Sequence, residues 1–159
     1  MNYPITPAIR VLREKKQEFE PHIFDYVEKG GTKHSSEVLG VDEHSIIKTL
    51  VFETNEKKPL IVLQHGDRQV STKNLARVLN VKSVAPAAPE KACKLTGYLV
   101  GGTSPFGAKT KMPVFAEKTI FELPRIYING GKRGFLIAIE PQVLRDVLEI
   151  EEVEVGIKD

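Results

Sequence analysis

Lys48 stands in an otherwise apolar set. Ile46–Glu53 is rich in β-branched and aromatic residues and predicts a strand. Strands send alternate side chains to opposite faces, so Ile46, Lys48, Leu50 and Phe52 share one face and Ile47, Thr49, Val51 and Glu53 the other. Taking the charge of a lysine out of water is costly. Such a lysine snorkels to water from a strand end, joins a structural ion pair, or lines a cleft. In a cleft it could bind a phosphate, carbonyl or carboxylate, or serve catalysis with a lowered pKa. The pattern leaves all three open.

Two glycine-rich turns are the second feature. Gly102 and Gly107 are spaced like the start of a phosphate loop, but Ala108 intervenes before Lys109-Thr110, where that motif needs Lys directly after the glycine. Pro105 also removes a loop N–H, and no βαβ unit surrounds the turn. A nucleotide-hydrolysing loop is excluded. The second turn is Asn129-Gly130-Gly131-Lys132-Arg133-Gly134. Glycine allows positive φ and close backbone approach, and a turn with free N–H groups can cradle an anion or an oxyanion. The plainer alternative is a loop that simply turns tightly. Each turn is followed by basic residues, Lys109 and Lys111 after the first, Lys132 and Arg133 in the second. Basic side chains beside exposed N–H groups suit a phosphodiester such as a tRNA end.

Other reactive residues make weaker cases. His22, His34, His44 and His65 are scattered without ligand spacing, so they are expected at the surface or satisfied locally, and no metal or cofactor is expected. Cys93, the single cysteine, falls in a predicted helix without a histidine signal and is expected to pack rather than attack. No G-x-S-x-G elbow is present, which argues against a serine hydrolase. The acidic run Glu149–Glu154 is expected to be a solvated face.

These residues must be positioned by a modest set of elements. Thr6-Pro7 starts a helix with a hydroxyl cap and a first-turn proline, followed by Ala8, Val11, Leu12 and Lys15 at helical spacing. A strand is predicted over Phe19–Tyr26, broken by Gly30-Gly31, then a short helix over Ser35–Leu39 ended by Gly40. Pro59–Gln64 is the hairpin partner of Ile46–Glu53 across Asn55-Glu56-Lys57-Lys58. Ser71–Leu79 is a capped helix with Leu75, Val78 and Leu79 on one face and Asn80 as its stop. Val81–Ala85 is a short strand, and Pro89 opens a helix that ends before Gly97. Strands are predicted at Pro113–Ala116, Arg125–Ile128 and Phe135–Ile139. Pro141 opens a last helix with Val143, Leu144, Val147 and Leu148, and Val153–Ile157 is a final edge strand. Strands outnumber helices without strict alternation, which predicts an α+β fold with a mixed, curled sheet.

Length and charge fit this picture. The 159 residues suit one domain, 1–159, with 41% hydrophobic and 28% charged residues. A chain of this size can bury a core without disulfides or metal. The net charge of +2 means that nucleic-acid contact has to come from a local patch. Met1-Asn2-Tyr3-Pro4 is not followed by an apolar core and no apolar run approaches the ~20 residues that span a bilayer, so a cytoplasmic protein with no membrane contact is expected.

Thr6-Pro7-Ala8, Ile47-Lys48-Thr49-Leu50, the run from Thr96 through Gly107 and the run from Ile126 through Gly134 together resemble the YbaK/EbsC family. That family is similar to the editing domain inserted in bacterial prolyl-tRNA synthetases. The resemblance spans nearly the whole chain. It implies a barrel-like curled sheet with flanking helices, and a freestanding trans-editing enzyme that removes a wrong amino acid from tRNA, in the best-known branch cysteine from tRNA(Pro). The acceptor end of that tRNA would be the partner, with prolyl-tRNA synthetase beside it. The family lysine corresponds to Lys48 and the first-loop glycine to Gly101, with Gly102 completing the oxyanion donors. The expected substrate pocket comprises Phe24, Tyr26, Thr103, Ser104, Asn129, Gly130 and Leu136, and the tRNA contacts are Lys109, Lys111, Lys132 and Arg133. Asn129 stands where the cysteine-specific branch tends to have serine, Leu136 where it has an acid and Phe24 where it has tyrosine. These changes bear on which amino acid is removed, alanine being an alternative. A non-catalytic tRNA-binding module is the rival reading.

Overall fold

The computed structural model describes residues 2–158; Met1 and Asp159, the ends of the expected 1–159 domain, lie outside the described residues. The elements are α1 (Pro7–Glu14), β1 (Glu20–Ile23), α2 (Gly31–Leu39), β2 (Ile46–Thr54), β3 (Pro59–His65), β4 (Arg68–Val70), α3 (Thr72–Leu79), β5 (Val84–Pro86), α4 (Pro89–Thr96), β6 (Val114–Glu117), β7 (Ile126–Lys132), β8 (Phe135–Ile139), α5 (Gln142–Val147), β9 (Ile150–Val153) and β10 (Gly156–Lys158). The helix ends follow their side chains. Thr6 caps α1 by accepting from the Ile9 N–H, Ser71 caps α3 by accepting from Asn74 N–H, and Gly40, Asn80 and Gly97 end α2, α3 and α4 in the left-handed conformation.

The main sheet has eight strands in the order β1-β8-β7-β2-β3-β6-β9, with β5 also on β2; β4 and β10 pair separately. The sheet is mixed: β2–β7, β3–β6 and β6–β9 are parallel and the other pairs antiparallel. Helices flank it, giving the expected α+β class, and the strand path ends at β1 and β9 without closing into a barrel. The two faces of β2 serve two cores. Ile47 joins Ile61, Leu63, Ile126, Ile128 and Ile137 in the larger one. Phe52 joins Leu60, Val62, Leu75 and Phe115 in the smaller one.

One interruption in the sheet positions the site. On the edge of β2 away from β3, β7 pairs only at Ile46 and Ile47 and β5 only at Phe52–Thr54. Between these pairings, at 48–51, no strand lies on that edge among the described residues. The odd lysine sits at the start of this gap.

Several boundaries differ from expectation. The first strand stops at Ile23 instead of Tyr26: its partner β8 begins at Phe135, so the bond from Phe24 N–H to Gly134 O is the last step of the register. Helix α2 begins at Gly31, one of the two glycines expected to end the strand, and is longer than Ser35–Leu39. The strand after Asn80 is Val84–Pro86 rather than Val81–Ala85. β7 runs on through a bulge between Asn129 and Lys132, so the expected turn shrinks to Arg133-Gly134. The strand Arg68–Val70 carries no apolar alternation to predict it. The expected edge strand Val153–Ile157 is split into β9 and β10, with Val153 and Val155 buried while Glu151 and Glu152 stay exposed.

Candidate active site

A cleft of about 830 Å³ opens over the gap in the β2 edge. Its floor is the open edge of β2 from Ile46 through Phe52, continued by Asn129 of β7 and Leu136 of β8, which pair with each other. Phe24, Tyr26, Gly101, Thr103 and Arg133 line it as well. The fold thus brings eight of the predicted site residues to one cavity: Lys48, Phe24, Tyr26, Gly101, Thr103, Asn129, Leu136 and Arg133. Gly102, Ser104, Gly130, Lys109, Lys111 and Lys132 do not line it.

The amino group of Lys48, half-buried, donates a hydrogen bond to the carbonyl of Arg68 at the start of β4. That turn is itself braced. Gly66 N–H donates to Ile46 O at 2.6 Å, and the Thr32 hydroxyl lies 3.1 Å from Gly66 O and 2.7 Å from Glu43 Oε2. His44 Nδ1 pairs with Asp67 Oδ1 at 2.8 Å. His44 and His65, distant in sequence, stack with ring centroids 3.7 Å apart and planes 6° apart. These two and Asp67 hold ligand-type atoms within 4.8 Å of one another. Stacked imidazoles point their in-plane lone pairs in parallel rather than at one ion. His65 also commits Nδ1 to the His44 carbonyl and Nε2 to the Thr119 hydroxyl, at 2.7 and 2.6 Å. The cluster is a hydrogen-bonded brace, and burial holds the His65 imidazole below the usual histidine range.

The two glycine turns form one packed unit. A β-carbon on Gly102 would lie 2.7 Å from Arg133 N and 2.9 Å from Lys132 C, so only glycine lets the first turn rest on the second. Gly102 N–H donates to Leu99 O at 2.8 Å inside its own turn. Gly101, at φ +90°, lies against the Tyr26 ring, and its carbonyl accepts from Asn129 Nδ2 at 3.1 Å. Asn129 Oδ1 accepts from Gly131 and Lys132 N–H, so this one side chain ties both turns together. The Gly101 N–H has no acceptor among the described residues. Gly101 thus keeps an N–H open to the cleft side of its turn, whereas Gly102, expected beside it as a second donor, spends its N–H on Leu99 O and packs on Lys132 and Arg133.

Ser104 and Gly130 are likewise structural in their contacts. Ser104 is fully buried and its hydroxyl accepts from Phe106 N–H. Gly130 accepts the Thr6 hydroxyl at 2.5 Å and faces the Phe135 ring. The Tyr98 hydroxyl donates to Phe106 O at 2.6 Å, and burial pushes its pKa up to about 12.

The charges at the cleft favour an anion: Lys29, Lys48 and Arg133 line it against the single carboxylate of Glu28. The Arg133 guanidinium is held over the Tyr26 ring, 5.1 Å from its centroid, while Nε donates to Val100 O at 2.8 Å. Lys109, Lys111 and Lys132 are exposed. Beside these cations the wall is apolar, with Ile46, Leu50, Val70 and Leu136. His34 and Thr32 of α2 and Gln69 and Val70 of β4 also line the cleft, none of them expected there. Leu50 could have been found, since it shares the face of Lys48; β4 offered no signal.

Comparisons with known proteins agree with this architecture. A Cys-tRNA(Pro)/Cys-tRNA(Cys) deacylase candidate of Enterococcus faecalis, EbsC, is 27% identical over 155 residues, covering 97% of this chain and 94% of that protein. A proline–tRNA ligase of Thermodesulfovibrio yellowstonii is 34% identical over 84 residues, which is 53% of this chain but only 14% of the ligase. The crystal structure of a candidate trans-editing enzyme for prolyl-tRNA synthetase superposes with a TM-score of 0.81 at 20% identity, covering 98% of this chain and 99% of that one. Among the described residues, no helix is long and apolar enough to cross a membrane. The model of the aminoacyl-tRNA editing domain matches residues 31–147. The chain belongs to the aminoacyl-tRNA editing domain family.

Proposed function

We propose that this chain, working as one domain in the cytoplasm, is a trans-editing deacylase that frees mischarged tRNA(Pro) of its amino acid, with cysteine as the leading substrate. The observation that carries the reading is that Lys48, Gly101 and Arg133 line one cleft, which joins a cationic rim to an apolar wall. The name of the Enterococcus relative supports cysteine and tRNA(Pro), and the match to a proline–tRNA ligase supports that synthetase as a neighbour in the pathway.

An aminoacyl ester is already activated, so the site has to hold it, stabilise the developing oxyanion and admit a nucleophile. The Gly101 N–H would donate to the oxyanion. Lys48 would offer an N–H to the ester carbonyl or the terminal phosphate while Arg68 O holds the ammonium in place. Arg133 would take a phosphate of the acceptor strand, with Lys109, Lys111 and Lys132 outside the cleft continuing the basic track. The apolar wall of Ile46, Leu50 and Leu136 suits a small uncharged side chain, cysteine or alanine. The nucleophile would be water or the thiol of the cysteinyl group.

The test is to incubate the protein with tRNA(Pro) charged with cysteine, alanine or proline and follow loss of each ester. Selective loss of cysteine or alanine supports the reading. Binding of all three without cleavage would instead make the chain a recognition module.

A further inference from the structure

We infer that His34 is the general base for a hydrolytic route that needs no thiol on the substrate. The inference rests on the deacylase reading above. His34 of α2 lines the same cleft as Lys48 and Gly101. Its Nε2 lies 3.1 Å from the carbonyl of Asp25. A carbonyl can only accept, so Nε2 carries the proton in the neutral ring, and Nδ1 is the basic nitrogen. A histidine whose second nitrogen is fixed by a hydrogen bond has its tautomer set, the arrangement that general-base histidines require.

The segment Phe24–Tyr26 links this base to the oxyanion donor. The Phe24 ring lies 6.0 Å from the His34 ring, the Asp25 carbonyl holds Nε2, and the Tyr26 ring abuts Gly101. His34 and Gly101 therefore flank one three-residue stretch. Phe24 is anchored to Gly134 O at 2.9 Å and Tyr26 lies beneath Arg133, so the stretch is held at both ends.

In the step proposed, a water bound in the cleft loses a proton to His34 Nδ1 as its oxygen bonds to the ester carbonyl carbon. The carbonyl electron pair moves to the oxygen facing Gly101 N–H. Collapse of the tetrahedral adduct re-forms the C=O bond and breaks the bond to the ribose oxygen, which takes the proton back from His34. The products are the free amino acid and the tRNA with its terminal hydroxyl restored; water is the only co-reactant.

The experiment compares wild type, His34→Ala and His34→Asn on alanyl-tRNA(Pro), an ester without a thiol, and on cysteinyl-tRNA(Pro), with thermal unfolding as a check on the fold. Wild type is expected to hydrolyse the alanyl ester. Each variant is expected to lose about 10²-fold or more of that rate, the lower range for a general base, and added imidazole is expected to restore part of it in His34→Ala. Three results would overturn the inference: cleavage of the cysteinyl ester alone by wild type, variants that keep the alanyl rate, or a loss in folded His34→Ala that imidazole does not relieve. Cleavage of neither ester by wild type would instead overturn the deacylase reading itself.

Discussion

Gly101 and Tyr26 touch so closely that a β-carbon on the glycine would sit 2.8 Å from the tyrosine hydroxyl. The glycine also holds φ at +90°, a conformation that an L side chain adopts only under strain. Gly101→Ala therefore has to shift either the loop or Tyr26, and with it the N–H proposed to face the oxyanion. A fall of about 10²-fold in kcat is expected, the scale for one lost oxyanion donor, with a stability cost of about 1–3 kcal/mol for the strained backbone. Single-turnover deacylation together with urea unfolding separates the two effects. An unchanged rate would remove Gly101 from the mechanism.

Gly102→Ala should behave differently. Its added methyl meets the backbone of Lys132 and Arg133, which cannot swing aside as a side chain can. A loss of about 1–3 kcal/mol is expected from overpacking, read as a lower urea midpoint at unchanged slope. A folded Gly102→Ala that loses as much of the single-turnover rate as Gly101→Ala would contradict the division of labour between the two glycines.

Arg133 is expected to hold a phosphate. Replacing it with alanine should weaken tRNA binding, and the slope of log K against log salt should shrink by about 0.7–0.9, the value for one phosphate contact. Equilibrium binding at several salt concentrations provides the check. A parallel line displaced downward would mean that Arg133 acts only through its contact with Tyr26.

The His65 brace predicts a pH dependence of stability. Burial is the main cause that lowers its pKa in the folded state, so the unfolded chain binds the proton more readily. The contribution is complete above the ordinary histidine value of about 6.5 and is lost as pH falls from there through the lowered value. Wild type should lose stability between pH 7 and pH 5 in urea titrations, and His65→Gln should show a smaller decline over the same range.

Much of this arrangement was legible in the chain. Alternation along Ile46–Glu53 isolated Lys48 on its face, and the hydroxyl caps at Thr6 and Ser71 set two helix starts. The cleft itself was not legible, because it arises where β7 and β5 share one edge of β2 without meeting. No local pattern encodes that long-range pairing. The same holds for His44 and His65, brought face to face only by the β2–β3 hairpin, and for β4, a short strand with no apolar face to mark it. Scattered histidines without ligand spacing offered nothing to single out His34, whose carbonyl partner Asp25 comes from the chain after β1.

Lys48 remains the center of the account. The most direct measurement is single-turnover deacylation of cysteinyl-tRNA(Pro) by wild type and by Lys48→Ala, each at protein excess and each shown to be folded. The account predicts rapid ester loss with wild type and a rate lower by about 10²–10³-fold in the variant, with tRNA still bound. Deacylation by Lys48→Ala at the wild-type rate would contradict it.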